Sequence, residues 1–277
     1  MTNDTWTTLN WLVEAGADEA VAEAPVNRLI AKPAAQSLPT AAPRPPTPPP
    51  DSPKPAAFKT STMPDPGGDG VGTALAAAGA AATLMELKAA LETFEGCALK
   101  HTATNTVFAD GVAEGRVMFI GEAPGRDEDR MGKPFVGRAG QLLDKMMASI
   151  ALDRKTNAYI TNVINWRPPN NRDPSPEEAA MCLPFLRRHI ELARPGLIIL
   201  LGAVAARHVL GQTEGIMRLR GRWQEYRVGD RMVPLMPTLH PAYLLRQPAH
   251  KKLAWRDLQA IRDKMRQLGL PEPGGAG

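Results

Sequence analysis

The stretch VMFIGEAPGRDEDRMGKPFVGRAGQLL, Val117 to Leu143, decides the fold. Its apolar start, Val117-Met118-Phe119-Ile120, reads as a strand. The segment Gly121 to Gly140 then packs five glycines and eight charged side chains into one loop before a helical pattern takes over. In an open α/β sheet, a strand that empties into a glycine-rich turn and then a helix is where ligands sit, because backbone N–H groups there point into the crevice. The loop fits neither the phosphate-binding pattern G-x-x-x-x-G-K-S/T nor a tight G-x-G-x-x-G opening a helix, which argues against an ATP or dinucleotide site.

Outward from this stretch, AYITNVI (Ala158 to Ile164), GLIILLG (Gly196 to Gly202) and RMVPLMPTLH (Arg231 to His240) read as further strands. Helical patterns lie between them: AGQLLDKMMASI, SPEEAAMCLPFLRRHIELA and AVAARHVLG. This alternation predicts a three-layer α/β/α fold with a mainly parallel central sheet. The loops after parallel strands share one edge, so the Gly121 loop, Asn162 and His240 are expected to face one crevice.

The 277 residues are unevenly composed. Residues 25–80 are rich in Ala and Pro, with PTAAPRPPTPPPDSPKPAA at their centre, and read as a disordered linker. Before them, residues 1–24 read as a short amphipathic helix, with Leu9, Leu12, Val13 and Ala17 recurring beside Trp6 and Trp11. That helix either docks a protein partner or packs back onto the body. The compact body is expected over residues 83–270, opened by a capping box at Thr83 and Glu86, with 271–277 as a flexible tail. No basic n-region precedes an apolar h-region, and no apolar run approaches the ~20 residues of a membrane helix, so a cytoplasmic protein is expected. The chain carries 33 Lys and Arg against 29 Asp and Glu; only 5 of the former but 8 of the latter fall at or before Ala80, leaving the body net positive by 7. Such an excess suits a polyanionic partner, and equally a merely soluble surface.

Four ordered blocks, GEAPG, GKPFVGRAGQLL, YITNVINWRPPNNRDPSPEE and LHPAYLLR, together resemble the uracil-DNA glycosylase superfamily, specifically its family 4 branch. The resemblance covers roughly residues 83–268 and implies cleavage of the N-glycosidic bond of uracil in DNA, leaving an abasic site. A monomer working at the nucleoid is expected. A base inside a duplex must be flipped into a pocket before its bond can be reached. Phe135 is the natural stacking floor, beside the loop backbone of Ala123 and Gly125. Asn162 can accept from N3–H and donate to O4, the reverse of what cytosine offers. His240 can aim a donor at O2 as negative charge develops on the leaving ring. In family 1 an aspartate stands where this chain has Ala123, so water activation falls to Glu122, with the loop backbone, Asp127 and Glu128 as the other candidates. For DNA, Arg167 and Arg172 in the proline-stiffened loop suit phosphates. Leu244 or Leu245 could act as a wedge, Arg246 could contact the strand, and Arg138 with Gly137 to Gly140 could meet a phosphate at a helix start.

The chain departs from the family at one place. Family 4 enzymes hold a 4Fe–4S cluster on four cysteines, whereas this chain has Cys97 and Cys182 only, with Lys100 and Trp166 at two of the ligand positions. Two thiolates do not complete such a site, so no metal and no cofactor are expected. Two other functions compete with the glycosylase reading: a module that binds uracil or abasic sites without turnover, and a small-molecule nucleotide hydrolase or transferase. Phe135 and the YLLR block argue against the second.

Overall fold

The computed structural model describes residues 70–270. The readings of residues 1–24, 25–69 and 271–277 lie outside the described residues. Helices α1 (Gly70–Ala80) and α2 (Leu84–Thr93) lead into strands β1 (Ala109–Gly111) and β2 (Val117–Gly121). Then come α3 (Arg126–Met131), α4 (Arg138–Ala148), β3 (Ala158–Asn162), α5 (Pro176–Ala193), β4 (Leu197–Leu201), α6 (Gly202–Leu210) and α7 (Ile216–Leu219). The hairpin β5 (Gln224–Val228) and β6 (Arg231–Thr238) is followed by α8 (Pro241–Arg246) and α9 (Lys251–Gln267).

The strands form one sheet in the order β1-β3-β2-β4-β6-β5. The four central strands are parallel, and both edge strands run antiparallel to their neighbours. Strands β2, β3 and β4 are buried along their whole length, as expected where helices cover both faces. Their side chains alternate between two cores. Met118, Ile120, Ile198 and Leu200 pack with Phe185, Leu186 and Ile190 of α5 on one face. On the other, Val117, Phe119, Leu197 and Ile199 pack with Leu143 and Met147 of α4 and Leu258 and Ile261 of α9. The predicted three-layer arrangement is the one found. Strands β1 and β5 were not predicted: the first has three residues, and the second alternates exposed and half-buried positions.

Two boundaries differ in detail. Thr83 caps α2 by accepting the Glu86 N–H at 3.1 Å, but the Glu86 carboxylate returns to the N–H of Ala82 at 2.7 Å rather than to that of Thr83. The linker expected through Ala80 ends sooner, since residues 70–80 are helical and bury Ala74 and Ala78. Alanine is the best helix former, and its small side chain lets α1 lie close against α5. A composition that reads as low complexity is here a helix that packs through its methyl groups.

From β2 the chain crosses to β3 on one side, and it returns to β4 on the other. The carboxyl ends of β2 and β4 therefore flank the point where the strand order reverses, which is where open α/β sheets bind ligands. The reference for the contribution of α1 is a chain lacking residues 1–69, whose thermal midpoint is measured first. Truncating through Ala80 should lower it by about 4–8 °C if uncovering α5 costs about 2 kcal/mol in a body this size. Calorimetry of the two truncations checks this, and equal midpoints would mean that α1 adds nothing to the core.

Candidate active site

The strand ends converge on a cavity of about 300 Å³ whose lining includes Glu122, Pro124, Phe135, Asn162, His240 and Arg246. Gly121 and Asn162 are paired across β2 and β3. A Cβ on Gly121 would collide with both the Asn162 amide oxygen and the Phe135 ring, so the lack of a side chain lets the two meet. Gly202, at the end of β4, has φ +92°, and a Cβ there would lie 3.0 Å from the Cβ of His240. Glycine is favoured on both counts: the backbone region disfavours L side chains, and a Cβ would press on the His240 side chain.

Asn162 is buried, and its Oδ1 has no hydrogen-bond partner. A buried acceptor left open is costly unless something fills it. His240 caps α8, its Nδ1 accepting the N–H of Ala242 at 3.1 Å, with Pro241 at the first helical position. Burial, aided by the charge of Arg246, lowers the His240 pKa to about 4, so the ring is neutral at physiological pH. With Nδ1 accepting, the proton of the neutral ring is on Nε2. The ring centroid lies 5.5 Å from that of Phe135 at 35°. Two residues before His240, Thr238 donates to the buried Asp257 of α9 at 2.7 Å, and Arg220 pairs with the same carboxylate. This ties down the end of β6.

Glu122 has a pKa raised to about 7, chiefly by burial and then by the charge of Asp173, with Arg207 and Arg246 opposing the shift. Near neutrality it exchanges a proton readily, as a general base must. Loop bracing falls to Glu128, six residues on, whose Oε1 accepts the N–H groups of Val136 and Gly137 at 3.0 and 2.9 Å. Asp127 is exposed and lies 3.7 Å from Arg130.

Ala123, Gly125 and Arg172 also line the cavity, whereas Arg138, Arg167, Leu244 and Leu245 do not. Three readings of the DNA-facing residues change. Leu244 is 0% exposed in the core under α8, so it cannot serve as a wedge; Leu245, 38% exposed, can. Glu128 already accepts the N–H of Gly137, the residue that caps α4, so that group is not open to an anion, and Arg138 is exposed beside it. The Arg172 guanidinium is held in a bidentate pair with Glu178, at 2.8 and 2.6 Å, so a phosphate would have to compete with that carboxylate. Arg167 is tied to Asn171 through Nε at 2.7 Å. Glu178 also closes the capping box with Ser175, fixing the proline-rich loop to α5. The spacing Ser175-x-x-Glu178 was the signal for that anchor. No local signal marked Asp257, whose partners lie 37 and 19 residues away.

A family model described as the uracil DNA glycosylase superfamily matches residues 108–259. A type-4 uracil-DNA glycosylase of Archaeoglobus fulgidus is 44% identical over 169 residues, covering 60% of this chain and 84% of that one. A type-4 uracil-DNA glycosylase of Thermotoga maritima is 38% identical over 176 residues, covering 62% and 90%. The chain belongs to the uracil-DNA glycosylase superfamily, on its type-4 branch.

The cluster that the family implies does not fit the residues present. Cys97 and Cys182 are buried and unbridged, and their thiols interact, pulling the Cys97 pKa down and pushing that of Cys182 up. The ammonium of Lys100 pairs with Glu95. Trp166, 1% exposed, fills the same core as the two cysteines and donates to Thr106 Oγ1 at 3.0 Å. A cation and a packed indole donor supply no thiolate.

The Glu122 environment predicts a pH dependence. If Glu122 is the base, its working form is the carboxylate, and single-turnover excision of uracil should rise between pH 6 and 8 with a midpoint near 7. His240 is already neutral across this range and adds no limb. Asp173→Asn removes a raising charge and should move the midpoint down. Glu122→Gln should abolish the dependence and lower the plateau by ~10²–10⁴-fold. A flat wild-type profile over this range would exclude Glu122 as the base.

Proposed function

We propose that this protein flips uracil out of DNA and hydrolyses its N-glycosidic bond, and that the residues at the strand ends divide the work. The open Asn162 Oδ1 carries this reading. It offers an acceptor to N3–H of uracil in a cavity that also contains Phe135 and His240. Cytosine presents no proton there, and a polar mismatch in a closed pocket rejects the wrong base strongly. Phe135 serves as the stacking floor, a role worth ~1–3 kcal/mol per base.

As the C1′–N1 bond breaks, its electron pair passes to the uracil ring, and the His240 Nε2–H stabilises the charge that gathers on O2. A neutral donor suits this role, because it stabilises the anion without having to surrender its proton. The sugar becomes oxocarbenium-like and is attacked by water, whose proton goes to the Glu122 carboxylate. Turnover, rather than binding alone, is supported by the presence of this titratable carboxylate and by the names of the relatives.

On the DNA side, Leu245 enters the gap left by the flipped nucleotide, and Arg246 and Arg167 meet the strand. The net positive body suits a polyanion. That one chain supplies all of these groups supports a monomer as the working unit, and a DNA substrate supports a place at the nucleoid. Catalysis proceeds without an iron–sulfur cluster, a reading supported by Lys100 and Trp166 at two ligand positions.

The test is incubation with uracil-containing oligonucleotides followed by alkaline cleavage. Asn162→Ala should reduce excision by ~100-fold or more while abasic-site DNA still binds; near-normal excision would remove Asn162 from the pocket. Protein prepared anaerobically should be colourless, iron-free and active. Stoichiometric iron and sulfide would overturn the cluster-free reading.

A further inference from the structure

Phe135 has φ +53°, in the left-handed region that a bulky residue enters only when its surroundings force it. The forcing comes from both sides. Downstream, Glu128 holds the N–H groups of Val136 and Gly137. Upstream, Arg154 donates from Nη1 to the Pro134 carbonyl at 3.1 Å and from Nη2 to the Phe135 carbonyl at 2.9 Å. The rest of the guanidinium is also engaged, with Nη1 donating to Asp110 on β1 at 3.0 Å, and Nε and Nη2 to Asp144 on α4 at 2.9 and 2.7 Å. Each of the five guanidinium N–H groups thus has a partner. A Cβ on Gly140 would overlap the Phe135 carbonyl, so that carbonyl lies hard against the first turn of α4. Arg154 does not line the cavity.

We propose that Arg154 is a positioning residue for base excision: by holding the Pro134 and Phe135 carbonyls, it sets the ring on which the flipped base stacks and the spacing of that ring from His240. The proposal rests on the reading of Phe135 as the stacking floor. A planar fork anchored to two carboxylates aims its remaining donors at two successive carbonyls. A lysine ammonium, a point charge with three donors, cannot span the same set. Small shifts of a reacting base cost rate steeply, by up to ~100-fold for a displacement of ~1 Å.

Single-turnover excision tests this with Arg154→Lys, Phe135→Ala and the double variant, alongside thermal midpoints and affinity for abasic-site DNA. Arg154→Lys should lower the rate constant by about 100-fold and leave abasic-site DNA affinity within about twofold. The double variant should be no slower than Phe135→Ala alone, within about twofold, because Arg154 acts through the ring. Should Arg154→Lys fail to fold, Asp144→Ala loosens the guanidinium without touching the carbonyls. It carries the same comparison with an expected loss of about 10-fold. Three outcomes would overturn the proposal: a folded Arg154→Lys or Asp144→Ala that excises at the wild-type rate, losses that multiply in the double variant, or a loss in Arg154→Lys while Phe135→Ala stays fully active. A wild-type chain that excises no uracil would instead refute the functional reading, before any variant is made.

Discussion

Close approach at two strand ends is the constraint on which the rest depends. Gly121 and Gly202 terminate adjacent regions of the parallel sheet, and the first admits the Asn162 amide and Phe135 ring while the second admits His240. A methyl group at either place would push apart side chains that come from β3, the α3–α4 loop and the end of β6. The buried sheet supplies the rigidity, and the missing side chains supply the room. Both are needed, because a rigid sheet with ordinary residues at its ends would hold the functional groups too far apart to act on one base.

The same crowding determines the electrostatics. Burial holds His240 neutral and pushes Glu122 toward protonation. Two groups whose environments move their pKa values apart are suited to different tasks in one reaction. In the proposed reaction the imidazole is an uncharged donor for an anion that forms beside it, and Glu122 is the base. The carboxylate is a base only when ionised, so the flanking arginines that oppose its burial, Arg207 and Arg246, help keep it in the working form.

What could be read from the sequence follows from how local its cause is. Strands β2, β3 and β4 were legible because burial on both faces makes them continuous apolar runs. Strand β1, with three residues, has no pattern to read. The β5–β6 hairpin did carry a signal, the two-residue loop Gly229-Asp230 with Gly229 at φ +60°, that alternation alone would have completed. Residues at strand ends, Asn162 and His240, could be placed on one edge from topology. Between Leu244 and Leu245 the sequence could not choose, since only the packing of α8 tells which of two adjacent leucines faces the core. Arg154 was invisible: its partners Asp110 and Phe135 lie 44 and 19 residues away, and nothing in LDRKTNAYITN marks that arginine above the lysine beside it.

The brace on Phe135 ties the stacking floor to the edge of the sheet. Its anchor Asp110 belongs to a three-residue strand at the sheet edge. Short edge strands open at lower free energy than the interior, and such local openings are sampled without global unfolding. Fraying of β1 would release one side of the guanidinium and slacken the stacking floor while the parallel core stays intact. The stacking floor of the proposed site is therefore coupled to the edge of the sheet more than to its centre. Amide exchange around Pro134 to Gly137 would track that edge rather than the core, and a chain whose edge has opened would hold a flipped base less firmly.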